Sequence, residues 1–518
     1  MSKMSTVLLL IVGALGVAAA HSAVTSIPSE PTDMPDFIGA PVKAWPVADS
    51  RVPQNPFLAP NPLGGVHLDG WNSDTADIAG PLGHDPVVWT SQMAPPRAVV
   101  TVPIGATQAF DSRGRPVVAF SNSVEAGVVL LDPVSLKKLT SYPLQPAAGL
   151  NGLGSCYFYV DNRDRVVIAN GADRVLVLRE GGTAERPRFE KEQEYDLSGG
   201  VVPDGDRLAG LMVDWQGRIW FDTRGSADPD NPRTPRVGVI DPATYPDIKW
   251  IGLDPDVLQQ VSNTMAVTKE SAFVVSSLKL YEISAGADNQ PHVVWSEPYE
   301  TTGLLKSGQY SLGSGTSPTI FGNGKYVAIA DNAEQTHVVV YRTDERLDPG
   351  ENRIVCEVPV FKEGEGSDDN SLMGSGRSLI VFNNYGYDLS TSMYQHTSPP
   401  SEPGIARVDV DPNGKGCNNG QPVWENDSVM VMDEGMKLST KTGLIYAVTR
   451  KYDTEGYESP GLSVFYLSAI DFRTGEVVWE RMMGTGWNFD GFSAVYLGPN
   501  GTAYVGQYGG IVAIRDTQ

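Results

Sequence analysis

The chain has 518 residues, 41% of them hydrophobic, with 39 Lys and Arg against 62 Asp and Glu for a formal net charge of −23. That length exceeds what one ordinary core needs. The acidity argues against nucleic acid and anionic membranes as partners, and leaves cationic or neutral small molecules, sugars and metal ions open.

With 55 Gly, 38 Pro and almost no helical periodicity, the chain is predicted to be all-β and built from many short strands. Lys3 is the only charged side chain before Glu30, and Val7 to Ala20 is an apolar run of 14 residues. That run is too short to span a membrane and has the form of a signal segment. Residues 1–23 are therefore expected to be removed, and the protein to be secreted or periplasmic with no membrane span. Residues 24–95 read as a Pro-rich extended arm and loop, a candidate lid. Within them His67, Asp69, Asp74, Asp77, His84 and Asp85 crowd together. The spacing matches no ligand motif, so a metal site stands beside a loop packed over the body.

From residue 96 to residue 518 a repeat is legible. Eight hairpins share one grammar of apolar strand, polar turn and apolar strand. Their turns centre on Gly114, Asp164, Gly217, Glu270, Gly324, Gly376, Gly443 and Gly501. Each is followed by a second hairpin, so the unit is four strands in about 55 residues. Four-stranded antiparallel units at this period are propeller blades, which bury their faces on one another and close into a ring. An eight-bladed β-propeller is predicted, with seven blades as the alternative. The last unit has three strands, and Ala98 to Val102 is predicted to supply the fourth.

Ala469, Asp471, Thr474, Gly475 and Trp479 match an AxDxxTGxxxW repeat. On these residues, with a close variant at Val239 to Trp250, the chain resembles the quinoprotein-alcohol-dehydrogenase-like propellers. The resemblance implies a turn between the two outer strands and a tryptophan packed between blades. It also brings pyrroloquinoline quinone and calcium as candidate cofactors, and non-catalytic scaffolds as other relatives. The adjacent cysteine pair often found in quinone-binding members is absent from this sequence, as is a lipobox cysteine after the signal.

The three cysteines are Cys156, Cys356 and Cys417. Cys156 sits in an apolar stretch and reads as a buried free thiol. On the blade map Cys356 lies in the outer strand of blade 5 and Cys417 in the outer turn of blade 6, which makes them the predicted disulfide.

Propeller ligands bind where loops converge on the central channel. The innermost strands are predicted to start at Gln108, Asn151, Arg207, Asn263, Ser317, Asn370, Lys437 and Asp490. Arg207, Lys437 and Asp490 would place charges around one pore, as candidate catalytic groups. Asn151, Asn263, Asn370, Asn383 and Tyr385 are the candidate ligand-binding residues. Three long loops on this face, Asp222 to Arg236, Asn383 to Gly404 and Arg450 to Gly461, are further candidates. Asp409 to Gly414 begins like a calcium loop but lacks its closing glutamate, and Asp228, Asp230, Asp368 and Asp369 are weaker calcium candidates. No GxSxG, P-loop, GxGxxG or HExxH pattern occurs. The resulting reading is an exported propeller that binds and transforms a small molecule at its funnel, with an oxidoreductase first among reactions. The alternatives are a binding or scaffold propeller and a metal-assisted hydrolase or lyase.

Overall fold

The computed structural model describes residues 24–48, 50–93, 107–121, 126–146, 157–388, 400–454, 461–491 and 493–517. Eight antiparallel blades form one ring, and the order of strands within each blade follows the sequence. The innermost strands are Thr107–Phe110, Phe158–Val160, Leu208–Val213, Ala266–Val267, Thr319–Phe321, Met373–Ser375, Lys437–Ser439 and Val495–Leu497. Among the described residues helix is confined to two short 3-10 turns, and no helix is long and apolar enough to cross a membrane.

Blade 8 takes its outer strand from the other end of the chain, as ring closure requires, but not from the predicted segment. Val87–Gln92 pairs antiparallel with Gly510–Arg515. Ala98 to Val102 lies outside the described residues, as do residues 1–23, expected to be a signal segment, Cys156 and Asn151. Val87–Gln92, in the stretch expected to be arm, is the strand that meets the blade 8 edge. The propeller thus begins inside the stretch expected to be arm.

The rest of the arm is bound along its length. Phe37–Gly39 adds a fifth strand outside blade 7, on Val477–Thr485. Farther on, the chain enters the central channel at the end opposite the funnel. There the carbonyls of Leu63, Gly64, Gly70, Trp71, Ser73 and Asp74 accept hydrogen bonds from Phe110, Val160, Val267, Ile320, Gly374 and Leu438. Six of the eight innermost strands therefore have their channel-facing edge capped by one segment, which satisfies backbone donors that would otherwise be buried unpaired. Thr75–Ala76 continues this as a parallel pairing with Leu438 and Ser439.

The repeat turns are built as the sequence suggested. In the AxDxxTGxxxW copy, the Asp471 carbonyl accepts from Thr474 and Gly475, and its carboxylate accepts from the Arg473 amide at 2.8 Å. Gly475 has φ +76°, and a Cβ there would stand 2.5 Å from the Trp424 ring of blade 6. Trp479 is fully buried, with Tyr446 and Phe37 at 6.3 Å between ring centroids. Cys356 and Cys417 form the predicted disulfide between blades 5 and 6, with Cα atoms 5.9 Å apart.

On the far face, blades 1 to 3 repeat an Asp–Arg clasp four residues long: Asp111–Arg115, Asp161–Arg165 and Asp214–Arg218. Asp214 is almost wholly buried. It accepts from Arg218 Nε at 2.7 Å and from Trp220 Nε1 at 2.9 Å. Removing this carboxylate leaves a buried guanidinium without its counter-charge. Asp214→Ala is expected to cost about 3 kcal/mol in urea unfolding, whereas Asp230→Ala, in an exposed turn, should stay within about 0.5 kcal/mol. Equal small losses in both would show that the clasp does not hold the turn.

Candidate functional site

The funnel face receives the loops that lead into each innermost strand and the loops that join the second and third strands. Its floor is carboxyl-rich on blades 6 to 8. Asp368 and Asp369 precede the innermost strand of blade 6, Asp433 and Glu434 that of blade 7, and Asp490 that of blade 8. All five are buried. Tyr310 Oη donates to Asp433 Oδ2, and Asn370 Nδ2 donates to Asp433 Oδ1. Gln507 Nε2 donates to both oxygens of Glu434, at 2.9 and 3.0 Å. Tyr387 Oη reaches Asp490 at 3.3 Å and Tyr508 Oη at 3.1 Å.

Burial, with repulsion between neighbouring carboxylates, raises Asp368, Asp369, Asp433 and Glu434 above their ordinary range. Burial pushes the Asp433 carboxyl up to about 7, against the hydrogen bonds from Tyr310 and Asn370. Burial, and then the charge of Asp433, hold Asp369 well above the usual carboxylate range. Burial does the same for Asp368 and Glu434. A buried carboxyl that titrates near neutrality and keeps two oriented donors is suited to proton transfer.

Beneath the floor, the arm places His67 and Asp74 inside the ring of blades. Lys437 Nζ lies 2.6 Å from Asp74 Oδ1. Asp74 Oδ2 lies 3.0 Å from His67 Nδ1, and His67 Nε2 lies 3.1 Å from Ser317 Oγ. Ser371 Oγ donates to Asp74 and reaches His67 Nδ1 at 2.8 Å. Burial raises the Asp74 carboxyl, but Lys437 and His67 outweigh it and hold the group below its ordinary value. The order Ser317–His67–Asp74 is that of a nucleophilic triad, yet Ser317 is only 1% exposed. The network locks the arm to blades 5, 6 and 7. Asp69 turns to the amides of Trp71 and Ser73, and Asp77 pairs with Lys441 at 2.8 Å.

The three predicted charged residues therefore do not form one constellation. Lys437 is committed to Asp74. Asp490 lies under Tyr387 on blade 8. Arg207 lies across the funnel, in a separate cavity on its rim. The starts of the innermost strands lie on one face, but neighbouring side chains there point into different blade interfaces. Of the predicted ligand-binding residues, Asn370 holds Asp433. Asn263 accepts from Tyr157 Oη at 2.9 Å and donates to the Gly315 carbonyl at 2.7 Å. Asn383 bonds the Glu365 carbonyl and the amides of Ser367 and Tyr385, so it shapes its loop. The Tyr385 carbonyl accepts from Glu402.

Asp433, Glu434, Tyr310 and Tyr387 were not singled out from sequence. A signal existed: Asp368, Asp433 and Asp490 stand four or five residues ahead of consecutive innermost strands. Only an alignment of blades would show it.

Among the described residues, no three His, Cys, Asp or Glu side chains are grouped to hold a metal ion.

No family model and no curated protein matches the chain. Solved structures do. A europium-containing methanol dehydrogenase aligns with TM-score 0.52 at 11% identity, over 86% of this chain and 89% of the other. A streptogramin B lyase aligns with TM-score 0.39 at 12% identity, over 83% and 97%. BamB from Moraxella catarrhalis aligns with TM-score 0.33 at 12% identity, over 72% and 93%. At these identities the likeness is one of fold.

The raised carboxyl has a signature in stability. Asp433 keeps its proton to about pH 7 when folded and loses it near its ordinary value of 3.8 when unfolded. Its stabilising contribution is therefore complete below about pH 4 and declines as pH rises toward 7. Asp433→Asn should flatten the stability profile across this window, by on the order of 1 kcal/mol per pH unit. Urea unfolding of both proteins from pH 4.5 to 7.5 measures it, and parallel profiles would rule out the raised pKa.

Proposed function

We propose that the protein is exported and binds a small polar molecule at the floor of its funnel, where Asp433 acts as general acid and base. The carrying observation is Asp433 itself, buried at the floor between Tyr310 and Asn370 and titrating near neutrality. Tyr310 and Asn370 fix its two oxygens, Asp369 shares the proton load, and Tyr387 and Tyr508 wall the blade 8 side. A methyl group placed on Gly435 would stand 3.4 Å from Asn370 Oδ1 and 3.5 Å from Lys437 Nζ. Asn370 and Lys437 thus both lie close against Gly435. The apolar leader and the disulfide support an oxidising, extracytoplasmic location.

A second reading, a binding or scaffold propeller without turnover, draws support from the arm that fills the channel's far end. One experiment separates the two. Sugars, polyols and hydroxy acids are screened by thermal shift, and each hit is incubated with the protein and examined by mass spectrometry. Conversion that falls at least about 100-fold in Asp433→Asn, with KM nearly kept, supports the catalytic reading. Binding without conversion decides for the binding protein. Hits that Asp433→Asn and Tyr310→Phe leave untouched would remove the floor from consideration.

A further inference from the structure

Across the funnel from the carboxyls lies a cavity of about 460 Å³ whose walls include Arg207, Arg224, Arg233, Gln260, Asp173 and Asp206. All six stand in the loops of the funnel face that lead into innermost strands or join second to third strands, on blades 2 to 4. Three guanidiniums around one small cavity repel one another unless an anion sits among them. The charges of Asp369 and Asp206 act on Arg224 from beyond ion-pair distance and offset only part of this repulsion. Asp206 is turned to the backbone, where it accepts from the amides of Arg207 at 2.8 Å and Gly225 at 3.0 Å. Arg224 makes one long hydrogen bond, at 3.4 Å, to the Tyr310 carbonyl. Arg233 Nε is buried with no acceptor among the described residues. Neither Arg224 nor Arg233 forms an ion pair with a described residue.

We infer that this cavity is an anion subsite that takes the carboxylate or phosphate of a small molecule through Arg224 and Arg233. Guanidinium forks match the planar or tetrahedral oxygens of such groups. Burial, and then the charge of Arg207, push the Arg224 guanidinium down to about 10, which is the cost an incoming anion relieves. Burial, with Asp206 and Asp196, raises Asp173 to about 6, so the wall opposite the arginines becomes less negative in mildly acidic solution. Because Tyr310 contacts Arg224 through its carbonyl and Asp433 through its hydroxyl, the subsite is one residue away from the proposed acid–base group. The inference narrows the ligand to one bearing an anionic group. It rests on the funnel as the binding face, and not on catalysis by Asp433.

Isothermal titration of the mature chain at low ionic strength, pH 7, with inorganic phosphate in one arm and malonate in the other tests it. At least one probe should bind in a saturable 1:1 manner. Arg224→Gln and Arg233→Gln should each weaken that binding at least about 10-fold, and Arg224→Lys should recover part of it. Arg346→Gln, at an exposed turn, should leave it unchanged, as should Asp433→Asn to within about twofold. The tighter arm assigns the anion as phosphate or carboxylate. No saturable binding of either probe, or an equal loss in Arg346→Gln, overturns the subsite. An acid–base failure at Asp433 leaves these isotherms as they are, so the two readings fail separately.

Discussion

The inner edge of a propeller is its weak point. Each innermost strand turns a row of backbone donors toward the channel, and a ring of eight blades leaves that channel too wide for side chains alone to fill. Here one segment of the arm, from Leu63 to Ala76, lays its carbonyls against six of those strands. The geometry is demanding: Leu68, Asn72 and Asp74 all adopt positive φ, at 73°, 53° and 48°. For a residue such as Leu that conformation costs about 1 kcal/mol or more. Satisfied backbone groups and the His67–Asp74–Lys437 network offset it.

Charge is distributed unevenly around the funnel. Carboxyls gather on blades 6 to 8, and guanidiniums on blades 2 to 4. Between them stands Tyr310, touching one group on each side. A field across a water-poor cavity orients any polar molecule that enters it, since charges act more strongly there than in bulk water. Burial is the main cause of the raised carboxyls, and at Asp369 the charge of Arg224 opposes it without overcoming it.

The fold was legible because its determinants are local. Turn residues such as Asp471 and Gly475 act within four residues, and strand alternation acts within two. The disulfide became legible once the blades were counted, since its partners lie on adjacent outer edges. The closing strand was displaced because Ala98 to Val102 and Val87–Gln92 carry the same β pattern, and only pairing with Gly510–Arg515 distinguishes them. The positions of the innermost-strand starts were legible, and the groupings of side chains around them were not. Lys437 looked like a pore charge, but its partner Asp74 comes from far along the chain, and no local rule connects them. Asp433 stands four residues before Lys437, outside the strand, where no local pattern distinguishes it. What marks it is burial, which depends on neighbours from three blades.

The closing strand has a bearing on how the molecule is made. Val87–Gln92 and the channel segment before it are synthesised early, yet their partners include the last blade of all. The ring cannot shut until that blade exists, and blades 1 to 7 have to gather around a strand pair that is still half missing. Contacts of this sequence separation make folding slow. Ring closure is therefore a late step: it waits for the last blade to be made, however far the earlier blades have already formed.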